Sequence, residues 1–411
     1  MSVLNEFSRR VVLVLGLSAA AAAMAQGPTQ VPTQWADVAA KGRGQVVYFN
    51  AWAGDEKTNA FIAWVGTEMQ ARHGVTVQHV RLKDTAEAVT RVIAEKAAGR
   101  STGGTVDLIW LNGPNFLAMK QQGLLHGPVT QALPNFARVD TATKRSNVID
   151  FTTPVDGMAV PWKMAQIVFV YDSARITQAG EVPRSASELL EWARKHPGRL
   201  THPNPSNFLG ATFLKQMLYD LSADVAAMQQ PASDESFARI SAPLWAWYEQ
   251  LRPLLWRRGQ QFPDNGSAQR QLLGDGEIDI TLSFNPAEAA VSAAGGLLPA
   301  TVRSFTLRKG TIGNTSFVAI PYNAAHKEGA MLLANLLLEP AVQARAQDIA
   351  QMGSLNVLDM ARLSPAEAQL FARLTPNAAL PSAADLGLPQ LEPHASWMTR
   401  MTAEWQRRTV R

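Results

Sequence analysis

Short β-rich runs alternate with helical stretches through the first third of the chain, and few folds accommodate that order. Gln45-Val46-Val47-Tyr48-Phe49-Asn50 lies between Gly42, Gly44 and Gly54 and reads as a strand. Phe61, Ile62, Val65 and Met69 recur near helical spacing and predict a helix over 58–71, stopped by Gly74. Residues 75–80 predict the next strand, and Val89, Val92 and Ile93 mark one face of a helix over 86–98. Val106-Asp107-Leu108-Ile109-Trp110-Leu111 is almost wholly apolar, as a strand covered on both faces must be. A helix over 116–122 follows, closed by Gly123. Strands alternating with helices predict an α/β fold, a parallel sheet flanked by helices.

The middle of the chain repeats this grammar. Val160-Pro161-Trp162 leads into the apolar stretch Ile167–Tyr171. Ser185-Ala186-Ser187-Glu188 has the form of a capping box and opens a helix that runs to Lys195. A short strand is expected near 199–201, a helix over 207–221, and strands over 278–284 and 315–320. A helix over 327–338 is interrupted at Glu339-Pro340, and Ser364-Pro365-Ala366-Glu367 is a second capping box.

Ser8-Arg9-Arg10, an apolar run from Val11 to about Ala23, and Ala23-Met24-Ala25 form the pattern of a secretory signal peptide over residues 1–25. The run falls short of the roughly 20 apolar residues a membrane span needs. Export by the general route is expected; the paired arginines also resemble a twin-arginine signal, but its Phe and Lys are missing. A periplasmic protein of about 386 residues (411 less 25) would remain, without membrane insertion. That length suits two domains. The charge of +4 becomes +3 once Arg9, Arg10 and Glu6 are removed, and no basic block suggests nucleic acid.

The chain has no cysteine, which excludes a lipid anchor, cysteine-ligated metal and thiol catalysis. There is no S-x-x-K, H-E-x-x-H or G-x-x-x-x-G-K-[ST]; Gly99-Arg100-Ser101-Thr102-Gly103 has the letters of G-x-S-x-G but follows a helix, not a strand, so Gly99–Gly104 reads as a loop and not as a nucleophile elbow. The seven histidines are scattered, and His73 and His79 read as surface or packing residues. The five tyrosines are never adjacent, against a tyrosine-built ferric site. No catalytic residue, metal or cofactor is expected. What remains is polar and aromatic residues at strand-to-helix junctions, where open parallel sheets bind ligands. Trp52, Gly54, Asp55, Asn112, Asn115, Asn207, Phe208, Phe284 and Asn285 stand there, together with Trp162. Asn, Asp and Gly at such places also serve as caps and turns. Trp110, inside a strand, is assigned to the core.

Four stretches in order, VVYFNAWAGDEKTNAFI, VDLIWLNGPNFLAMKQQGLL, GMAVPWKMAQIVFVYD and TIGNTSFVAIPYNAAHKEGAMLLANLLLEPAVQARAQ, give the chain a resemblance to the extracellular solute-binding proteins of ABC importers. The resemblance is to the group with polyamine-, thiamine- and iron-binding members, and within it to the YnjB-like subgroup. It implies a type II periplasmic-binding-protein fold, two α/β lobes joined by a hinge. The expected limits are 42–160 plus about 318–350 for lobe one, and 161–317 plus about 351–411 for lobe two and the C-terminal helices. It implies capture of a small solute by a monomer, with an ABC permease and its ATPase as partners. By position, Trp52, Gly54, Asp55, Asn112 and Asn115 would face the ligand from lobe one, Trp162 and Lys163 at the crossing, and Asn207, Phe208, Phe284 and Asn285 from lobe two. Lys57 and Lys163 would repel a cation, so a thiamine-like, a polyamine-like and a small anionic or zwitterionic solute all stay open. A periplasmic hydrolase or transferase, and a ligand-sensing partner of a membrane receptor, are the alternatives.

Overall fold

The computed structural model describes residues 35–387 and 389–409; the expected signal peptide lies outside them. Helix α1 (Trp35–Gly42) leads into β1 (Val46–Trp52), α2 (Glu56–His73), β2 (Thr76–Leu82), α3 (Ala86–Ala97), β3 (Leu108–Leu111) and α4 (Gly113–Gln121). Gly74 ends α2 in the left-handed conformation, φ 65°, which glycine adopts without a Cβ clash. Helix α4 starts earlier than the apolar pattern predicts, because Pro114 fits a first helical turn, where its missing N–H leaves no bond unmade. A tight hairpin, β4 (Ile149–Asp150) and β5 (Thr153–Pro154), precedes β6 (Val160–Gln166) and β7 (Val168–Asp172). Then come α5 (Ala186–Lys195), α6 (Phe208–Leu221), α7 (Asp234–Leu251), α8 (Gly266–Gly274), β8 (Ile280–Ser283), α9 (Glu288–Ala294), β9 (Val302–Phe305) and β10 (Gly313–Ala319). Helices α10 (Lys327–Leu337), α11 (Pro340–Gln347), α12 (Pro365–Ala372), α13 (Ala383–Leu386) and α14 (Ala395–Thr409) follow.

The strands form a five-stranded sheet, β2-β1-β3-β10-β6, and a three-stranded sheet, β8-β7-β9. Strands β1, β2 and β3 are parallel, as expected, with Val46 opposite Thr76 and Phe49 opposite Leu108. Strand β10 runs antiparallel between β3 and β6. The smaller sheet is antiparallel throughout, so the middle of the chain does not repeat the parallel grammar of its start. Each sheet has apolar residues buried on both faces. Phe61, Val65, Trp162, Met331 and Leu336 cover one side of the larger sheet, and Leu111, Phe116, Met119 and Phe317 the other. Phe169, Phe213, Tyr248, Trp397 and Trp405 cover one side of the smaller sheet, and Val168, Val170, Leu273 and Ile278 the other.

The chain passes between the sheets three times. The first passage is Gln166–Ile167 and the second Thr311–Gly313; Ile167 N–H donates to Ile312 O at 2.8 Å. Strand β6 belongs to the larger sheet, although the sequence places 161–166 with the second lobe. Met352, Val357 and Leu358 also pack on the larger sheet, whereas Ala379 packs on the smaller one, so the third passage follows α12. Its continuation returns to the second passage: Gly313 N–H donates to Gln390 O and Gln390 N–H to Thr311 O, both at 2.9 Å. Buried Gln166 donates to Leu386 O at 2.8 Å and Thr311 Oγ1 at 3.2 Å. A Cβ on Gly313 would lie 2.5 Å from Pro389 Cβ, so only glycine lets the strands approach this closely.

The capping box at Ser364 is complete, with Ser364 and Glu367 each accepting the other's backbone N–H. The one at Ser185 is half formed. Ser185 accepts from Glu188 N–H, but the Glu188 carboxylate takes the N–H of Arg184 instead.

Candidate functional site

Trp52 ends β1 and is 36% exposed. Its indole meets Trp110 of β3 edge-on, centroids 6.2 Å apart, and Trp110 meets Trp162 of β6 edge-on at 5.1 Å. Trp110 is half-buried; it packs against the core, as assigned, and joins this group as well. Trp162 is 1% exposed and stacks on Phe61; its Nε1–H finds no acceptor among the described residues. Gly54 is fixed by the same group, since a Cβ there would come within 2.2 Å of the Trp52 ring.

Lys163 owes its position to a β-bulge. Pro161 pairs with Phe317 and Lys163 with Ser316, which leaves Trp162 as the extra residue. A bulge re-aims side chains, and here it sets Trp162 and Lys163 side by side. Lys163 Nζ lies 4.2 Å from the Trp110 ring centroid and 5.1 Å from that of Trp162. Burial lowers its pKa to about 8, and the Asp55 carboxylate acts in the opposite direction. Asp55 itself caps α2, accepting from Thr58 N at 2.8 Å and Thr58 Oγ1 at 2.6 Å. Lys57 does not confront a ligand, as the sequence suggests; its ammonium donates to Ile349 O at 3.0 Å.

A second group sits where the two sheets meet. Asn112 occupies the N-cap position of α4 without a side-chain cap bond, and Asn115 is half-buried in the first turn. The N–H of Gly113 donates to Asp150 Oδ2 at 2.5 Å. Burial raises the Asp150 pKa well above the ordinary carboxylate value. The hairpin after Asp150 turns through Phe151, φ 45°, and Thr152, φ 69°, a conformation that bulky and β-branched residues avoid. Such strain persists only where surroundings enforce it. Here it points Phe151 at Phe208, 6.4 Å away, and Phe208 is 5.7 Å from Phe284. Asn207 caps α6 through Leu209 N–H, and Asn285 accepts from Ala287 N–H while donating to Met352 O at 3.4 Å.

Beneath these rings Lys215 and Glu392 form a buried ion pair at 2.6 Å. Lys215 Nζ lies 4.7 Å from the Phe151 ring and 4.8 Å from that of Phe208. Burial lowers Lys215 and raises Glu392, and their contact opposes both shifts. Asn314 of β10 donates to the other Glu392 oxygen at 2.9 Å.

The structure thus brings Trp52, Trp162 and Lys163 together, and Phe208 with Phe284. Asp55, Asn207 and Asn285 act as caps and turns. Sequence reasoning missed Phe151 and Lys215, since nothing in the local pattern distinguishes them. A hydrolase would place a carboxylate with a perturbed pKa in the cleft. Asp150 has the perturbation, but it is buried and holds Gly113 N–H. No group of three metal-ligating side chains occurs among the described residues.

The family of bacterial extracellular solute-binding proteins matches residues 64–370. The chain is 39% identical to Protein YnjB of Escherichia coli (strain K12) over 376 residues, 92% of this chain and 94% of that one. The Tp0655 (TpPotD) lipoprotein of Treponema pallidum superposes with a TM-score of 0.63 at 14% identity, over 89% of this chain and 100% of that one. Iron-bound HitA from Pseudomonas aeruginosa superposes with a TM-score of 0.60 at 16% identity, over 89% and 99%. At these identities the structural likeness is one of fold.

Proposed function

Because the chain belongs to the family of bacterial extracellular solute-binding proteins, we propose that it captures a small solute between two lobes in the periplasm and delivers it to an ABC permease and its ATPase. The reading is one of binding, not catalysis. The observation that carries it is the aromatic contact Phe151–Phe208–Phe284, which joins the hairpin beside β3 to the end of β8. Open parallel sheets bind ligands beyond the carboxyl ends of their strands, and the hairpin held to Gly113 after β3 reaches the residue after β8 through these rings. We assign residues 42–166 and 313–372 to one lobe, and 167–312 and 377–409 to the other. Trp52, Trp110 and Lys163 would touch the solute from the first. Phe151 on the hairpin and Phe208 and Phe284 of the second would complete the enclosure. Gly54, Asp55, Asn112, Asn115, Asn207 and Asn285 would shape the rim by setting turns and helix starts. A solute that contacts both lobes shifts the population toward the closed form, and that form would dock on the permease as a monomer.

Small-angle scattering of the purified chain, with and without the small molecules that denaturation releases from freshly isolated protein, tests this. The expected result is a smaller radius of gyration on adding the solute back. Turnover of that molecule without compaction would sink the proposal.

A further inference from the structure

We propose that the slot formed by Trp52, Trp110, Trp162 and Lys163 receives an anionic oxygen group of the solute, a carboxylate or a phosphate, with Lys163 as its cationic partner. This rests on the solute-capture reading and specifies its chemistry. The faces of two indoles are the surfaces on which a protein would seat a cationic ligand. Here the ammonium of Lys163 already covers both, at 4.2 Å and 5.1 Å. A cationic solute would have to displace that ammonium and then face its charge.

Among the described residues no hydrogen bond or ion pair reaches the Nζ of Lys163; the Asp55 carboxylate acts on it through space and is held in place at Oδ2 by Thr58. Lys57 is tied to the backbone carbonyl of Ile349 and does not share the slot. The same bulge carries a second donor without an acceptor, the buried Nε1–H of Trp162. A buried N–H without an acceptor is a costly arrangement, and an oxygen that reached it would relieve that cost. The lowered pKa of Lys163 agrees with a cation held without a partner. Trp52 stands at the exposed rim and gives the slot its opening.

Titration calorimetry of the full chain with citrate, inorganic phosphate, thiamine and spermidine tests this, on the wild type, Lys163→Gln and Lys163→Arg. Citrate or phosphate should bind the wild type, and Lys163→Gln should weaken that binding roughly ten-fold or more, as expected for a hydrogen bond to a charged group. Lys163→Arg, which keeps the charge, should retain most of it. Melting curves of each variant separate lost binding from lost folding. Should Lys163→Gln fail to fold, Lys163→Met takes its place, and the wild-type preference among the four probes still decides the sign of the solute. Unchanged anion affinity in a folded Lys163→Gln overturns the inference. So does binding of thiamine or spermidine that tightens in that variant, although solute capture then stands. If no probe binds, mass spectrometry of the molecule released on denaturation decides. An anionic molecule supports the inference, one without an anionic group overturns it, and none at all overturns both readings.

Discussion

Glu392 and Lys215 are buried so completely that neither tolerates the loss of the other. Glu392→Gln leaves a lysine in an apolar setting beside Phe151 and Phe208. The variant should lose about 3–5 kcal/mol, read as a lower urea midpoint at unchanged slope. Replacing both residues with methionine should restore part of that loss, because the two charges leave together, while buried Asp150 loses the cation beside it and Asn314 loses its acceptor. His202 obeys a different logic. Neutral His202 donates from Nδ1 to Pro203 O at 2.8 Å and accepts at Nε2 from Tyr248 O–H at 2.9 Å, and Tyr248 in turn accepts from Trp405 Nε1. Desolvation lowers its pKa from 6.5 to about 4, so the unfolded chain holds more protons between those values. Acid therefore favours unfolding: His202 should withdraw about 3 kcal/mol as pH falls from 6.5 to 4. Buried His126 shows a lowered value of about 4 as well and adds to the slope. Denaturation midpoints measured across that window check this, and a flat profile would contradict it.

At the level of elements, Gly210 is the position where α6 touches the loop before it. A Cβ there would lie 2.2 Å from Pro203 O and 2.4 Å from Asn204 O, both on rigid backbone. Gly210→Ala should cost about 1–3 kcal/mol in thermal melts, although alanine favours helix. Ser364→Ala, which removes a complete capping box, should cost about 1 kcal/mol. The order of strands and helices was legible in the sequence because period and punctuation are local properties. Phe61, Ile62, Val65 and Met69 announce α2, and Asp55 and Asn207 announce the caps they make. Strand direction is not local, so the antiparallel smaller sheet and the reversed β10 left no mark. Helix α7 escaped notice, and α14 is expected only as one of the C-terminal helices, without bounds, although its Trp397, Met401 and Trp405 follow a helical spacing. The bulge that re-aims Lys163 depends on how β6 pairs with β10, a strand far along the chain. The strained turn at Phe151 likewise shows no glycine or asparagine to betray it. The two features that shape the candidate site most were therefore the least visible.

For the molecule as a whole, neither apolar core is contiguous in sequence. The smaller sheet borrows α14 from the far end of the chain, across the third passage. A protease site inserted at 374–378, within that passage, should be cut without separation of the two pieces. Trp397 and Trp405 remain locked in the core, and gel filtration should show one peak until denaturant is added. Two peaks in native buffer would mean that the third passage alone holds α14 in place. The same arrangement orders events in time. A polypeptide threaded N-terminus first through a narrow channel emerges with Phe169, Phe213 and Tyr248 early and with Trp397, Met401 and Trp405 only in its final segment. Until that segment is out, one half of the protein has a core without its lid. If export follows the general route expected from the sequence, completion of folding waits for the end of translocation.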